Sequence, residues 1–399
     1  MRIAVLGGLG LQGRAALVAL SRRSSVDQII CADLGTEIPE KVRSMVDLKK
    51  TRFEKVDASS KDDLVALLKE DVDVALEFLP VPLMPKAYEA AVEAGVGLVG
   101  TSYGQTIRHL HDRALDARVS LMPECGLDPG IDLVVCGHAV KEFDELRVLN
   151  SYCGGIPEKK ACDNPLKYKI SWNWDLVLRA QKRPAVLIKG GRRVEIAAAD
   201  QHDNDMIGAI DFPGLGELES IPNGDAAFYT DLLGVTRTIR ETGRYTLRWP
   251  GWCAFWAPLK KLGFLSDEPL DIGGCPVTPH QFVVQLTEPQ LQFRDDEKDL
   301  VVMRNLFRGL KGGRRKTIIT DLFVERDLGT GLLAMNLSVA YPATIVACMI
   351  GNGQIAKKGV LSPMTDIPYD IFMMELSRCG IVVNEQIHYE DPKIMELHS

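Results

Sequence analysis

Residues 2–23 read RIAVLGGLGLQGRAALVALSRR, and the order of the parts within them decides the fold. The apolar run RIAVL reads as a short buried parallel strand. Gly8, Gly10 and Gly13 then form G-x-G-x-x-G around Leu11 and Gln12, and a good helix former begins at once. A glycine triplet alone is weak. Between a strand and a helix it lets the backbone approach a pyrophosphate seated on free N–H groups at the helix N-terminus. The next apolar run, QIICA at 28–32, ends in Asp33, twenty residues after Gly13. An acid there accepts hydrogen bonds from a ribose 2′-hydroxyl and repels a 2′-phosphate, which favours NAD and leaves NADP possible. The plainer alternative is a tight turn followed by a capping Asp.

The alternation continues. FEKV (53–56) precedes Asp57 and a helical stretch, VDVALEF (72–78) precedes another, VGLV (96–99) a third, and VSLM (119–122) closes the series. This pattern predicts an α/β fold, a doubly wound Rossmann sheet with ligands beyond the carboxyl ends of its strands. Asp57, Leu79, Pro80 and Ser102 therefore fall on the cofactor side, with Asp57 equally able to cap a helix. The sixth strand leads into PECGLDPGIDLVV, where Gly126, Pro129 and Gly130 frame Asp128. Asp128 could shape its own turn, or it could pair with a substrate amine while a hydride moves. Position alone leaves both open.

Composition narrows the class. The chain has 399 residues, 46% hydrophobic and 25% charged, with a net charge of -7. That argues against nucleic acid or an anionic membrane as the main partner. The start lacks the pattern of a signal peptide, and nine scattered cysteines without a C-x-x-C pair suit a reducing cytoplasm. The seven histidines are dispersed, so no metal site is expected. The apolar stretch 334–351 is interrupted by Asn336, Ser338, Tyr341 and Pro342 and falls short of a clean membrane span. Residues 1–128 are expected to form the dinucleotide-binding domain, completed by C-terminal helices within 340–399. Residues 129–215 with 273–339 should form a mixed α+β substrate and dimerisation domain. The stretch 216–272 reads as a helical insertion carrying Trp249, Trp252 and Trp256 on its surface. Glycine pairs predict hairpins at Gly190–Gly191 and in LKGGRRK, where Arg314, Arg315 and Lys316 read as a solvated tip.

The stretches VLGGLGLQG, ECGLDPGID, SYCGGIPEKKACDNPLKYKISW, IPNGDAAFY, RYTLRWPGW and ATIVACMIGNGQIAKKGVLSP run over essentially the whole chain. In them the chain resembles the saccharopine dehydrogenase family, specifically the glutamate-forming reductases and their lysine 6-dehydrogenase relatives. The resemblance implies a nicotinamide enzyme, most simply a homodimer, that interconverts an amine and an imine on a small amino acid substrate. It implies that Gly126, Leu127 and Trp172 approach the cofactor and that Asp128 contacts the amino acid moiety. Ser102, Cys153, Gly154, Asn223, Thr246, Leu247 and Arg248 become substrate-binding, with Arg248 able to hold a carboxylate bidentately. No basic partner for Cys153 is evident, so it reads as a contact and not a nucleophile. Two departures stand out. The reductases show P-N-R-D where this chain has Pro222-Asn223-Gly224-Asp225, so one carboxylate clamp is missing unless Arg244 or Arg240 replaces it. Asp33 favours NAD where those reductases take NADP. Both leave room for another amine, such as free lysine, or for a catalytically silent homologue.

Overall fold

The computed structural model describes residues 1–390. In chain order its strands are β1 (Arg2–Leu6), β2 (Gln28–Asp33), β3 (Thr51–Lys55), β4 (Val74–Glu77), β5 (Gly97–Gly100), β6 (Ser120–Met122), β7 (Glu145–Pro157), β8 (Ala185–Lys189) and β9 (Arg192–Ile196). They continue with β10 (Gly208–Phe212), β11 (Gly216–Pro222), β12 (Glu241–Arg248), β13 (Leu270–Ile272), β14 (Cys275–Val277), β15 (Asp299–Lys311), β16 (Arg314–Glu325), β17 (Gly359–Val360) and β18 (Val383–Glu390). The described residues divide into two compact units, Met1–His138 with Asn336–Val382, and Ala139–Met335 with residues 383–390.

The first unit is built on a seven-stranded sheet in the order β17-β6-β5-β4-β1-β2-β3, with every pairing parallel. Ile3 to Leu6 of β1 and all of β4 are buried, as expected when helices cover both faces. The helix Leu11–Ser21 is apolar nearly all round for the same reason: Ala15 through Leu20 are buried. The strand order reverses at β1, which has β2 on one side and β4 on the other. That reversal is the switch point beyond which doubly wound sheets bind ligands, and the glycine loop leaves from it.

The second unit carries a nine-stranded mixed sheet with the path β10-β11-β12-β7-β15-β16-β18, plus β8 on β12 and β9 on β8. The pair β12–β7 is parallel and its neighbours are antiparallel. Both predicted hairpins form, β8–β9 about Gly190–Gly191 and β15–β16 about Gly312–Gly313, each glycine at positive φ.

Five expectations need correction. The first unit runs past residue 128 to 138, because the helix Ile131–Ala139 packs so closely on the C-terminal segment that a Cβ at Gly137 would lie 1.8 Å from the Met364 carbonyl oxygen. Its C-terminal part stops at 382, since β18 pairs with β16; residues 391–399 of the predicted span lie outside the described residues. The stretch 216–272 is not a helical insertion: it holds β11, β12 and β13 besides the helices Ala226–Leu232 and Trp252–Lys261. β12 escaped detection because its buried members include Thr242, Arg244 and Arg248, so it lacks the apolar run that marks a buried strand. The tryptophans there are core, with Trp249, Trp252 and Trp256 each 6% exposed or less. Lys316 is likewise buried: its ammonium lies 2.8 Å from Glu142 Oε2 and over the rings of Phe143 and Tyr389, while Arg314 and Arg315 are exposed.

Among the described residues one helix is long and apolar enough to cross a membrane, Ala334–Gly351, and 78% of it is buried within the protein. Its polar members Asn336 and Ser338 are buried too. Its first N–H groups, those of Ala334 and Met335, donate to the Asp299 carboxylate at 2.8 and 2.9 Å, an acid placed against the positive helix end.

Candidate active site

The nucleotide loop is held together by close backbone approach. Gly7 has φ +75°, and its N–H donates to the Ala32 carbonyl at 2.9 Å. A Cβ at Gly13 would lie 2.2 Å from the Gly7 oxygen and 2.6 Å from Gly8 Cα, and one at Gly8 would lie 2.5 Å from Cys31 Sγ. A side chain at Gly13 would therefore push the helix off the loop, and one at Gly8 would collide with the Cys31 thiol on β2. Gly10 caps the helix Leu11–Ser21 in extended conformation without a side-chain bond, leaving the helix N-terminus open to an anion. Leu11 is exposed, and the buried Gln12 Oε1 has no partner. Asp33 accepts the Leu9 N–H on one carboxylate oxygen and the Leu34 N–H on the other, both at 2.8 Å. The carboxylate is thus fixed beside the loop with lone pairs to spare, and the whole arrangement fits a dinucleotide. Gly7 lies outside the recognised triplet, and only its φ reveals its part.

Further along the same sheet edge, Asp57 accepts the Ser59 N–H at 2.8 Å, and its bonds with Ser59 hold its carboxyl below the ordinary value. Ser60, not Asp57, caps the helix Lys61–Leu68, accepting the Asp63 N–H at 3.2 Å. Leu79 donates its N–H to Glu77 Oε1 at 2.8 Å, and Pro80 opens the turn Val81–Leu83. Glu77 is a feature the sequence did not announce. It is fully buried, its other oxygen has no partner, and burial pushes its pKa up to about 7.

The loop after β6 is drawn tight. The Gly126 N–H donates to the Pro129 carbonyl at 2.9 Å and the Ile131 N–H to Gly126 at 3.0 Å. A Cβ at Gly130, where φ is +153°, would lie 1.9 Å from the Gly126 oxygen. The buried Asp132 accepts the Gly130 N–H at 2.8 Å, and burial pushes its pKa up to about 7. Asp128 stands half-buried in this loop, and the Ser102 carbonyl accepts the Glu124 N–H at 3.1 Å, joining the loops after β5 and β6. Gly126, Leu127, Asp128 and Ser102 are thus brought to one sheet edge. Asp132 was readable only as the second acid of G-L-D-P-G-I-D.

In the second unit the expected substrate residues converge on two adjacent strands. Cys153 on β7 is the register partner of Thr246 on β12, and a Cβ at Gly154 would lie 2.5 Å from the Leu247 oxygen. Asn223, just past β11, donates its N–H to the Arg244 carbonyl at 2.8 Å. Thr246 and Arg248, two apart, share one sheet face. The Arg248 guanidinium is buried, lies 5.2 and 5.1 Å from the ring centroids of Tyr168 and Trp252, and bonds only the Leu247 carbonyl, at 2.8 Å. No carboxylate pairs with it among the described residues, and burial pushes its pKa down. Trp172 packs against the same aromatic cluster. Lys169 anchors the preceding loop: its ammonium reaches both Glu297 oxygens at 2.8 Å with both side chains buried. Of the suggested substitutes for the missing arginine, Arg244 covers the Tyr229 ring at 4.7 Å and Arg240 is exposed beside Gly191.

A Rossmann unit with this loop and an acid closing β2, and a mixed-sheet unit whose buried Arg248 meets no carboxylate among the described residues, define the class: a two-unit protein with a dinucleotide-binding fold. The chain belongs to the saccharopine dehydrogenase family, for residues 3–122 match the saccharopine dehydrogenase NADP binding domain and residues 126–381 the saccharopine dehydrogenase C-terminal domain. It is 26% identical to the mitochondrial alpha-aminoadipic semialdehyde synthase of Rattus norvegicus over 96% of its own length, and spans 48% of that protein. It thus spans about half the length of that curated relative. It is also 26% identical to the saccharopine dehydrogenase [NADP(+), L-glutamate-forming] of Saccharomyces cerevisiae, over 83% of this chain and 87% of that one. The solved structure of apo saccharopine dehydrogenase (L-Glu forming) from S. cerevisiae shares the fold, with a TM-score of 0.84 at 23% identity, covering 97% of this chain and 99% of that one.

Proposed function

We propose that this protein is a dehydrogenase acting on the CH–NH group of an amino acid derivative, saccharopine being the first candidate, with NAD preferred over NADP. The observation that carries the reading is Arg248, a buried guanidinium with no acid partner among the described residues, on a strand pair that also presents Thr246, Cys153 and Gly154. A cation desolvated in this way is stable only with compensation, and a substrate carboxylate supplies it through two parallel hydrogen bonds. The glycine loop and Asp33 would hold the dinucleotide, whose nicotinamide supplies a hydride acceptor when bound. Asp128 is assigned the substrate nitrogen: it stabilises the charged amine and can take its proton as the carbon–nitrogen bond gains double-bond character. The preference for NAD rests on Asp33, because a fixed carboxylate beside the ribose disfavours a 2′-phosphate. All nine cysteines are free, which supports a reducing compartment such as the cytoplasm. A homodimer belongs to the same reading and is checked by light scattering.

The test is a panel of NAD and NADP against saccharopine and lysine, following reduced cofactor by absorbance. Turnover of saccharopine, faster with NAD, is expected. A second reading, an NAD-dependent lysine 6-dehydrogenase, is favoured by Gly224 standing where an arginine clamp was expected; turnover of lysine alone would establish it. Cofactor binding without turnover of any amine would mean a silent homologue.

A further inference from the structure

Glu77 closes β4, an acid at the end of an otherwise apolar strand. In register it lies between Leu6 of β1 and Gly100 of β5, the last paired residue of each. The Phe78 N–H donates to the Leu6 carbonyl at 3.0 Å, and the Phe78 oxygen would lie 2.7 Å from a Cβ at Gly7. Glu77 therefore adjoins the start of the glycine loop, across the switch point from β2 and Asp33. A dinucleotide spans such a switch point with one nucleoside on each side. With the adenosine ribose at Asp33, the nicotinamide falls to the side of β4, β5 and the loop that holds Asp128.

The carboxyl is bonded on one side only. Oε1 accepts the Leu79 N–H, while the buried Oε2 has no partner, and neither has the hydroxyl of the buried Tyr88 on the helix Met84–Ala94. Both atoms converge where Gly100 lacks a side chain: a Cβ there would lie 2.7 Å from Oε2 and 2.5 Å from the hydroxyl. Among the described residues no cation pairs with Glu77, and burial holds its pKa up at about 7 against the Leu79 bond. On the flanking strands Leu6 and Gly100 carry no charge. Beyond Tyr88 the titratable groups are Cys125 and Glu124 after β6, both buried, which act on the Tyr88 hydroxyl. Burial first, then Glu77, pushes that hydroxyl well above its ordinary value, so it stays a protonated donor at hand for an ionised Glu77. A carboxyl so placed keeps its proton until a positive charge is bound near it.

We propose that Glu77 is a proton site coupled to the charge of the nicotinamide: it gives up its proton when the oxidised, cationic ring is bound and keeps it with the reduced, neutral one. This rests on the nicotinamide cofactor of the reading above and adds a pH-dependent choice between its two redox forms. The test uses the full chain without amine and the oxidised and reduced forms of whichever pair, NAD or NADP, binds more tightly. Affinities are measured by calorimetry and fluorescence titration from about pH 6 to about pH 8.5. An opposite charge within about 4–6 Å lowers a carboxyl by about 1–3 pKa units, each worth tenfold in affinity. The preference for the oxidised form should therefore rise about fivefold or more as pH increases and Glu77 ionises. Calorimetry in buffers of different ionisation enthalpy should find more protons released with the oxidised form than with the reduced one. Glu77→Gln should hold the preference level across the range. Tyr88→Phe, which takes the donor away from the ionised carboxyl, should move the rise to higher pH. Asp132→Asn removes the other buried acid with a pKa of about 7 and should leave the rise in place. A wild-type preference that does not vary with pH, or a rise that survives in Glu77→Gln, would overturn the proposal and leave the amine chemistry, scored by turnover, standing. Failure of every nicotinamide dinucleotide to bind would remove the cofactor reading and the proposal with it.

Discussion

Asp33 offers the sharpest separation of structural from electrostatic effects. Its carboxylate does two things: it fastens the glycine loop through the Leu9 N–H, and it presents negative charge at the end of β2. Replacing it with Ala removes both. Loss of the loop bond should weaken NAD and NADP alike, by roughly 1 kcal/mol for one backbone hydrogen bond. The charge acts differently on the two cofactors. For NAD, deletion loses hydrogen bonds from the ribose hydroxyl to an ionised acceptor, about 1.5–3 kcal/mol. For NADP, it relieves a repulsion of about 1–4 kcal/mol for unit charges about 4 Å apart, depending on the local dielectric. The two contributions add in the ratio, so Asp33→Ala should move the NAD/NADP preference by roughly 100-fold or more, at 1.4 kcal/mol per decade. Dissociation constants for both reduced cofactors, from fluorescence titration at fixed ionic strength, give the ratio directly. An equal loss for both would show that Asp33 only braces the loop, and the argument for NAD would fail.

Other residues give further expected outcomes. The pKa of Glu77, pushed up to about 7, lies above its ordinary 4.5, so folding retains a proton between these values. Stability is therefore full below pH 4.5 and is lost as pH rises to 7, by about 3 kcal/mol. Glu77→Gln keeps an acceptor for the Leu79 N–H and abolishes the titration; at pH 8 it should melt roughly 5–10 °C above the wild type by calorimetry, with little difference at pH 4.5. Arg248→Lys should raise the substrate KM by about tenfold with little change in kcat, because an ammonium cannot reproduce the guanidinium fork. Gly13→Ala, whose Cβ would lie 2.2 Å from the Gly7 oxygen, should lower the melting temperature and abolish measurable cofactor binding.

The first unit was legible because its signals are local. Each buried strand is a short apolar run, and the glycines of the loop sit where a Cβ would collide with backbone, so chemistry and sequence coincide there. The second unit was harder to read. β12 joins β11 and β7 and holds the arginine of greatest interest, yet ETGRYTLR shows no apolar run, because its polar residues are buried by long-range partners invisible in sequence. The same cause hid Trp256 in the core and Lys316 against Glu142 and two aromatic rings. Glu77 and Asp132 became apparent only from burial, since nothing in the neighbouring sequence distinguishes a buried acid from a solvated one. Family motifs led to Asp128 and Arg248; the geometry adds that Arg248 has no acid partner among the described residues.

The central claim is that Asp128 serves the substrate nitrogen while the glycine loop serves the cofactor. Its most direct test compares wild type with Asp128→Asn, measuring NAD affinity by titration and kcat with the best amine across pH. Asparagine keeps the size of the side chain and removes its charge. The account predicts NAD affinity within about twofold and a fall in kcat of about 100-fold or more, the scale of a lost general base. Unchanged turnover in the variant would contradict it.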